Sequence, residues 1–316
     1  MNSAILPDHS EDLGHGIFAI DTGFTRPRFD AAYLIVEQGR AAFIDTGTNF
    51  SVPRLLEALD ALGLPRTAVD YVIPTHVHLD HAGGVGLLMQ SLPQATLICH
   101  PRGLRHLVDP TQLWASATAV YGPEEMARSY GELVPVPAAR ARASSDEMVL
   151  ELAGRPLRLI DTPGHAKHHH CIWDARSRGW FTGDTFGLSY RELDIAGQAW
   201  ALPTSTPVQF EPEAMKASIA RMLATEPECL YLTHYGRVRE VARLAALLNE
   251  LIDGMVRVAR QAQAERHERI KQGLLDLYAT SLRAHGSTLS QAQMTELLAL
   301  DLELNAQGLE VWLTKN

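Results

Sequence analysis

The segment 75–84 constrains this chain more than any other, because it places four metal-binding side chains within six residues. It reads Thr-His-Val-His-Leu-Asp-His-Ala-Gly-Gly and directly follows the apolar run 69–74. Imidazole nitrogens and carboxylate oxygens are ligands that suit zinc, iron or manganese. Burying such a cluster without partners would be costly. The segment therefore predicts a metal site rather than four unrelated polar residues.

The spacing within this segment indicates two ligand sets. His76 and His78 are two residues apart, so they face the same way in an extended segment. Asp80 and His81 come after a turn and are expected to face another way. One loop would then serve two adjacent metal ions. The two glycines at 83–84 are expected to provide backbone angles that ligand loops often need.

Three further candidate ligands, His165, Asp184 and His234, each follow a short apolar run that predicts a β-strand. A carboxylate can hold two cations roughly 3.5–4 Å apart, which makes Asp184 a candidate bridging ligand. The histidine run 168–170 is a weaker candidate, because neighbours on a strand point to opposite faces and do not converge on one ion. The candidate metal ligands are His76, His78, Asp80, His81, His165, Asp184 and His234.

The order of apolar patterns predicts an α/β fold. A hairpin over 32–45 is followed by an amphipathic helix over 53–62 and a buried strand over 69–73. A second hairpin over 147–160 and further strand and helix patterns up to 233 repeat this arrangement. Strands that alternate with helices and end in polar residues are typical of α/β proteins.

From residue 241 the sequence predicts an all-helical extension with long apolar-periodic patterns. Ser290 is expected to cap a helix over 293–304. We divide the chain into a catalytic domain, residues 1–240, and a helical extension, residues 241–316. The extension carries no cluster of candidate ligands, so the sequence leaves two roles open for it, a lid over the site or an oligomerisation element that would make a homodimer.

Composition narrows the classes of function. The 316 residues are 46% hydrophobic and 21% charged, which is typical of a globular protein, and the net charge of −9 disfavours nucleic acid and anionic membranes as partners. Residues 1–12 lack the basic and apolar parts of a signal peptide, and no stretch reaches the roughly 18 apolar residues of a membrane span. We therefore expect a cytoplasmic protein that acts on a small molecule.

Taken together, the motifs resemble the metallo-β-lactamase superfamily. Residues 75–81 match its HxHxDH motif, and the sequences Asp-Thr-Pro-Gly-His at 161–165, Thr-Gly-Asp at 182–184 and Thr-His at 233–234 match its later motifs in order. The resemblance covers about residues 15–240. It implies an αβ/βα sandwich, in which two mixed sheets pack together with helices outside, followed here by the helical extension.

The resemblance also implies how the ligands divide between two divalent metal ions. Zinc is favoured, with iron or manganese as alternatives, because sites of histidine and aspartate discriminate poorly between these metals. Asp45, in an Ile-Asp-Thr-Gly motif, would orient a ligand histidine. The implied assignment is His76, His78 and His165 for one ion, Asp80, His81 and His234 for the other, and Asp184 as the bridge.

The motifs look like the glyoxalase II and lactonase side of the superfamily, since the β-lactamases lack the bridging aspartate and use cysteine at one ligand position. We predict a dinuclear hydrolase in which a metal-bridging hydroxide attacks an ester-type bond, with thioesters and esters favoured. The alternatives are a lactonase, an iron-dependent oxygen-using enzyme such as a persulfide dioxygenase, and a phosphodiesterase. A regulatory binder on the same fold is disfavoured by the complete ligand set.

Catalytic and substrate-binding residues are less constrained than the ligands. Asp80 would relay a proton while it ligates, and Tyr190 or Tyr235 would donate a hydrogen bond to the oxyanion. The substrate is expected to carry an apolar acyl part. The aromatic residues expected to line its pocket are Trp114, Tyr121, Phe186 and Trp200.

Overall fold

The computed structural model of the protein describes residues 5–205 and 209–315. Two β-sheets pack face to face in the middle, and helices cover the outer face of each sheet. This is the αβ/βα sandwich with a helical C-terminal region that the sequence predicts.

The first sheet contains, among the described residues, seven strands that follow one another in chain order. Its strands are β1 (Ser10–Asp12), β2 (Ile17–Asp21), β3 (Ala31–Glu37), β4 (Arg40–Ile44), β5 (Val69–Ile73), β6 (Thr96–Cys99) and β7 (Ala141–Ala143). The pairs from β1 to β4 are antiparallel, and the pairs from β4 to β7 are parallel. Parallel pairs need crossover connections, and these carry helices.

The second sheet contains six strands within the same described ranges, in the order β13-β12-β11-β10-β9-β8. Its strands are β8 (Met148–Leu152), β9 (Arg155–Asp161), β10 (His170–Asp174), β11 (Gly179–Gly183), β12 (Cys229–Leu232) and β13 (Gly236–Val238). Strand β10 pairs antiparallel with both β9 and β11, and β11 pairs parallel with β12. Strands β9, β11 and β12 therefore run in one direction and end at the same edge of the sheet.

Eleven α-helices occur in the described part of the chain. They are α1 (Val52–Ala61), α2 (Leu79–Ala82), α3 (Val85–Ser91), α4 (Pro101–Val108), α5 (Thr111–Tyr121), α6 (Pro123–Ser129), α7 (Pro212–Leu223), α8 (Val241–Gln261), α9 (Arg266–Ala284), α10 (Gln291–Leu297) and α11 (Ala299–Lys315). None of these described helices is both long enough and apolar enough to cross a lipid bilayer.

Strand β3 illustrates how the sequence pattern builds the layers. Tyr33 and Ile35 belong to the apolar cluster between the two sheets. Ala32 and Leu34 belong to the cluster that packs the first sheet against α1 and α3. Both faces of the strand are therefore buried, because successive side chains of a strand point to opposite faces.

The helical C-terminal region packs on the second sheet through one continuous apolar cluster that includes Trp180 and Leu232 of the sheet and Leu248 and Tyr278 of the helices. Polar contacts support this packing. The indole nitrogen of Trp200, for example, donates a hydrogen bond of 3.0 Å to the hydroxyl of Ser281 in α9.

The prediction of one helix over 293–304 is wrong. Ser290 caps α10 as expected, and its hydroxyl accepts a hydrogen bond from the backbone N–H of Gln293. Helix α10 nevertheless ends at Leu297, and α11 begins at Ala299. The residue between them, Leu298, is fully buried and leaves the helical conformation, with φ −101° and ψ 12°.

A buried ion pair links β9 to β10. Arg155 donates hydrogen bonds of 2.9 and 2.6 Å to the two carboxylate oxygens of Asp174, and both side chains are less than 5% exposed. The same guanidinium donates to the carbonyl of His15 at 2.7 Å, which ties the second sheet to the loop before β2. Burial alone would raise the pKa of Asp174, but hydrogen bonds from Arg155 and Ser177 lower it.

We predict that Asp174→Ala lowers the free energy of unfolding by about 3 kcal/mol, because the buried Arg155 loses both hydrogen bonds to Asp174 and keeps only the longer contact with Glu37 at 3.7 Å. The depressed pKa of Asp174 means that this stabilisation is present above the unfolded-state pKa and is lost as the pH falls. Because the ordinary pKa of the carboxyl is 3.8, the loss falls below that pH, and denaturant titrations from pH 7 down to pH 2 test both statements. Glu228→Ala, which removes the exposed ion pair with Arg178, is the control and should cost less than about 1 kcal/mol. An equal loss in both variants would contradict the prediction.

Candidate metal centre

The candidate ligands gather at the edge of the sandwich where several strands end. His76 and His78 follow β5, His165 follows β9, Asp184 follows β11 and His234 follows β12. The remaining two, Asp80 and His81, lie in the short helix α2. The structure therefore brings together seven side chains that are far apart in sequence. Among them only His78 and Asp80 are partly exposed, and the other five are buried.

The first ligand group consists of His76, His78, His165 and Asp184, whose ligand atoms all lie within 4.8 Å of one another. Nε2 of His76 and Nε2 of His165 are 2.7 and 3.1 Å from Nδ1 of His78. Oδ2 of Asp184 is 3.5 Å from Nε2 of His165. Three imidazole nitrogens and one carboxylate oxygen thus point to a common centre.

The second ligand group consists of Asp80, His81 and His234. Oδ2 of Asp80 is 3.3 Å from Nε2 of His234 and 3.8 Å from Nε2 of His81. The other oxygen of Asp184, Oδ1, faces this group at 3.3 Å from His81 and 3.8 Å from His234. The Asp184 carboxylate therefore offers one oxygen to each group, which is the geometry expected of a bridging ligand.

The donor set fits divalent metal ions. Nε2 of His81 and Oδ1 of Asp184 are both buried, and neither makes a hydrogen bond of acceptable geometry within residues 5–205 and 209–315. Buried polar atoms are rarely left without a partner, because the loss of hydration is then uncompensated. A cation held by the second ligand group would give both atoms a partner. Imidazole and carboxylate are also the ligands that zinc and similar ions prefer.

The electrostatics of the two groups differ. Burial, together with neighbouring imidazoles, holds the pKa of His76 and of His78 well below the usual value, so both rings are neutral and able to ligate. Burial alone would also lower the pKa of His81, but the carboxylates of Asp184, Asp80 and Asp45 raise it well above the usual value. The second group is thus rich in negative charge that a cation would offset.

Asp45 orients His81 of the second ligand group through a hydrogen bond to its ring. Its carboxylate accepts hydrogen bonds from the backbone N–H of Thr75 at 2.6 Å, from Nδ1 of His81 at 2.9 Å and from the hydroxyl of Thr233 at 2.7 Å. The bond to His81 fixes the ring so that Nε2 faces the centre. The contact between Asp45 and a ligand histidine that the sequence suggested is therefore present. Asp45 has a φ of +56°, a conformation that aspartate adopts more readily than most residues.

Two other ligands are oriented by backbone carbonyls. Nδ1 of His165 lies 3.2 Å from the carbonyl oxygen of Thr204, and Nδ1 of His234 lies 2.9 Å from that of Phe29. A proton on each Nδ1 makes these contacts hydrogen bonds and leaves Nε2 available for the metal.

His169 is a site residue that the sequence reasoning did not find. Its Nε2 accepts a hydrogen bond of 3.2 Å from the backbone N–H of Asp184, and its ring stacks on that of His76 at 4.8 Å. A Cβ at Gly183 would lie 2.5 Å from the same Nε2, so a glycine is required there. His169 thus positions the bridging carboxylate, a role that the histidine run alone does not reveal.

Gly83 and Gly84, which follow the metal-binding residues, do not have the unusual backbone angles that the sequence analysis expects. Gly83 and Gly84 have φ values of −61° and −83°, which any residue can adopt. The prediction that they supply unusual backbone angles is wrong. A Cβ at Gly84 would instead lie 2.7 Å from the carbonyl oxygen of Thr48, so the absence of a side chain allows two loops to approach closely.

The structure places the two tyrosines proposed as oxyanion donors beside other partners. The hydroxyl of Tyr190 donates a hydrogen bond of 3.0 Å to Oδ1 of Asp301. The ring of Tyr235 lies 5.9 Å from the guanidinium of Arg28, and burial raises its pKa to about 12. Their catalytic roles, and that of Asp80 as a proton relay, stay predictions.

The aromatic residues expected around a substrate divide between core and surface. Phe186 and Trp200 are fully buried in the apolar cluster beneath the helical extension. Trp114 packs against the cluster that contains Leu79 and Tyr130. Of the four, Tyr121 lines a cavity, which lies between the loop 22–25, α1 and α6.

Comparisons with known proteins agree with this geometry. The sequence model of the metallo-beta-lactamase superfamily matches residues 25–234. A metallo-beta-lactamase fold-containing protein of Sulfurisphaera tokodaii is 26% identical over 71% of this chain and 79% of its own length. An acyl-coenzyme A thioesterase of Gallus gallus is 28% identical over 54% of this chain and 63% of its own. A hydroxyacylglutathione hydrolase of Albidiferax ferrireducens is 27% identical over 67% of this chain and 72% of its own.

Solved structures show the same fold. An archaeal superfamily protein from Sulfolobus tokodaii superimposes with a TM-score of 0.64 at 22% identity, over 94% of this chain and 98% of that one. A metallo-beta-lactamase family protein from Thermus thermophilus gives a TM-score of 0.67 at 20% identity, over 96% and 95% of the two chains. At these identities the likeness concerns the fold.

We predict that Asp45→Asn lowers the affinity for a divalent cation about 10- to 100-fold, because an amide replaces one of the oxygens that hold His81 and the loops around it. Competition against a chromogenic chelator measures the affinity. Asp70→Asn is the matched control, since Asp70 pairs with Arg40 at the other end of β5. Unchanged affinity in a folded Asp45→Asn protein would refute the role given to Asp45.

Proposed function

The chain belongs to the metallo-beta-lactamase superfamily of metal-dependent hydrolases, and on this premise we propose that it hydrolyses a thioester or ester at a centre of two divalent metal ions. The observation that carries the proposal is the Asp184 carboxylate, which offers one oxygen to each of two ligand groups. A shared carboxylate suits two cations at close separation.

The preference for a thioester rests on relatives. Two of the curated relatives are named for the hydrolysis of an acyl group from a thiol, coenzyme A in one case and glutathione in the other. The coenzyme A thioesterase is 28% identical to this chain, and the hydroxyacylglutathione hydrolase is 27% identical. The thioester is therefore the favoured substrate class for this chain, with other esters and lactones as members of the same reaction type.

Different residues of the chain would have different roles in such a reaction. Divalent cations, when bound, would lower the pKa of water and polarise a carbonyl oxygen. Asp80 is the carboxylate of the ligand groups that solvent reaches, because its side chain is 25% exposed whereas that of Asp184 is 6% exposed. Asp80 is thus placed to hold and pass a proton at its carboxylate. The buried His76, His81 and His165 exclude water from the opposite side.

We predict that the as-isolated protein contains two divalent metal ions per chain and that Asp184→Ala and His76→Ala lose metal and turnover together. Turnover should fall by more than about 100-fold, which exceeds the usual effect of residues that only orient ligands. Elemental analysis and a thioester assay measure the two quantities. His267→Ala is the matched control, because His267 pairs with Glu303 and Glu310 in the helical extension. A metal-free variant with full activity would disprove the mechanism.

The reaction class has its own test. Removal of metal with a chelator should abolish hydrolysis, and addition of Zn²⁺, Fe²⁺ or Mn²⁺ should restore it in a screen of thioesters, lactones and phosphodiesters. Oxygen uptake measured in parallel with persulfide substrates separates a hydrolase from an oxygen-using iron enzyme. Oxygen consumption without any ester cleavage by the metal-loaded protein would overturn the proposed function.

A further inference from the structure

Helix α11 contacts the segments that hold two of the candidate ligands, one from each ligand group. We infer that one face of α11 positions His165 of the first group and His234 of the second, so that the helical extension is part of the metal centre without supplying a ligand. The inference rests on the two ligand groups of the proposed function but on no particular substrate. Two separate series of buried contacts carry it.

The face of α11 that makes these contacts contains Asp301, Asn305 and Gly308. Residues spaced by four and three positions lie on one side of a helix, and all three are buried. A buried carboxylate or amide costs free energy unless it forms hydrogen bonds. The partners of Asp301 and Asn305 therefore identify what this face of the helix holds in place.

Asn305 anchors the residues on both sides of Thr204. Its Oδ1 accepts a hydrogen bond of 2.6 Å from the backbone N–H of Ser205, and its Nδ2 donates one of 3.3 Å to the carbonyl of Pro203. The carbonyl oxygen of Thr204, between these two anchored residues, is the atom that lies 3.2 Å from Nδ1 of His165. The amide of Asn305 thus fixes the carbonyl that orients a ligand of the first group.

Gly308 allows α11 to lie close to the same segment. A Cβ at this position would be 1.5 Å from the carbonyl oxygen of Ser205, so any other residue would force the helix and the segment apart. Glycine is unfavourable in the middle of a helix. The close contact with Ser205 accounts for its presence here.

Asp301 reaches the second ligand group through two aromatic rings. Its Oδ1 accepts a hydrogen bond of 3.0 Å from the hydroxyl of Tyr190, whose ring stacks on that of Phe29 at 5.2 Å. The Phe29 ring meets the ring of His234 edge-on at 5.2 Å, and the Phe29 carbonyl oxygen lies 2.9 Å from Nδ1 of His234. Stacked and edge-on aromatic pairs have preferred geometries. A fixed Tyr190 therefore fixes Phe29 and the orientation of His234.

The backbone next to Tyr190 contacts the same ligand directly. The N–H of Ser189 donates a hydrogen bond to the carbonyl of His234, and the carbonyl of Ser189 accepts one of 3.3 Å from the N–H of Tyr235. A displacement of Tyr190 would therefore also disturb the backbone on which His234 is carried.

The contact with Asp301 bears on the oxyanion role predicted for Tyr190. A phenol has one proton to donate, and that of Tyr190 goes to Asp301. An oxyanion donor stabilises the transition state and leaves cation affinity unchanged. A positioning residue changes cation affinity as well, so the two roles give different results.

The first experiment observes the two histidines without any metal. In the full chain with isotope-labelled histidine, NMR detects the Nδ1–H protons of His165 and His234, which His165→Ala and His234→Ala assign. Tyr190→Phe should make the His234 proton exchange about three- to tenfold faster, as expected for the loss of one hydrogen bond, and leave the His165 proton unchanged. Asn305→Ala should do the reverse.

Cation binding is the second readout, with Co²⁺ as the probe in competition against a chelator. His165→Ala leaves the second ligand group complete, and His234→Ala leaves the first. In the His165→Ala protein, Tyr190→Phe should lower the Co²⁺ affinity about three- to tenfold while Asn305→Ala has no effect. In the His234→Ala protein, Asn305→Ala should lower it about tenfold while Tyr190→Phe has no effect.

Three further variants separate positioning from general destabilisation. Ser281→Ala removes a hydrogen bond of equal length, 3.0 Å, between the extension and the indole of Trp200, and it should leave both protons and both affinities unchanged. Asp301→Asn keeps an oxygen that accepts from Tyr190, so it should resemble the wild type. If Asn305→Ala does not fold, Asn305→Asp replaces it, because it keeps the acceptor for Ser205 and loses the donor to Pro203.

The outcomes separate this inference from the proposed function. Equal changes at both histidines, or none in either variant, would overturn the inference. A loss in Asp301→Asn without one in Tyr190→Phe would assign the effect to charge and overturn it as well. If Co²⁺ does not bind but the NMR protons respond one by one as expected, the metal centre of the proposed function fails and the positioning by α11 stands.

Discussion

Hydrogen bonds accepted by the buried Asp45 carboxylate connect the parts on which the site depends. They join the end of β4 to Thr75 after β5, to the ligand His81 in α2 and to Thr233 after β12 in the second sheet. One carboxylate thus fixes the relative position of both sheets at the edge where the ligands gather. Because a buried carboxylate without donors is costly, this interaction holds the loops in one arrangement and orients His81 before any cation binds.

The clustering of the candidate ligands was predictable from sequence because its information is local. Each ligand follows an apolar strand within a few residues, and strands that run in the same direction end at the same edge, so short patterns were enough to identify His165, Asp184 and His234. The residues that orient the ligands carry no such pattern. His169 contacts a backbone N–H 15 positions away, and the partner of His165 is a carbonyl 39 positions away. These pairs depend on the folded sheets rather than on spacing.

Hydrophobicity predicts burial but does not say what a residue faces. Phe186 and Trp200 are as aromatic as Tyr121 and Tyr130, yet the first two fill the core and the last two line a cavity. The break between α10 and α11 has the same origin. Leu297, Leu298 and Ala299 all favour helix, so the local sequence predicts one continuous helix. The helix nevertheless ends before Leu298, because this residue is buried in the core.

The helical extension belongs to the site by its contacts, although it supplies none of the candidate ligands. Asp301 accepts a hydrogen bond from Tyr190, and Asn305 accepts one of 2.6 Å from the backbone of Ser205, both in buried surroundings. Opening these contacts would expose an apolar core and break buried hydrogen bonds together. The extension is therefore held in a fixed position against the rest of the chain by buried polar contacts as well as by the apolar cluster.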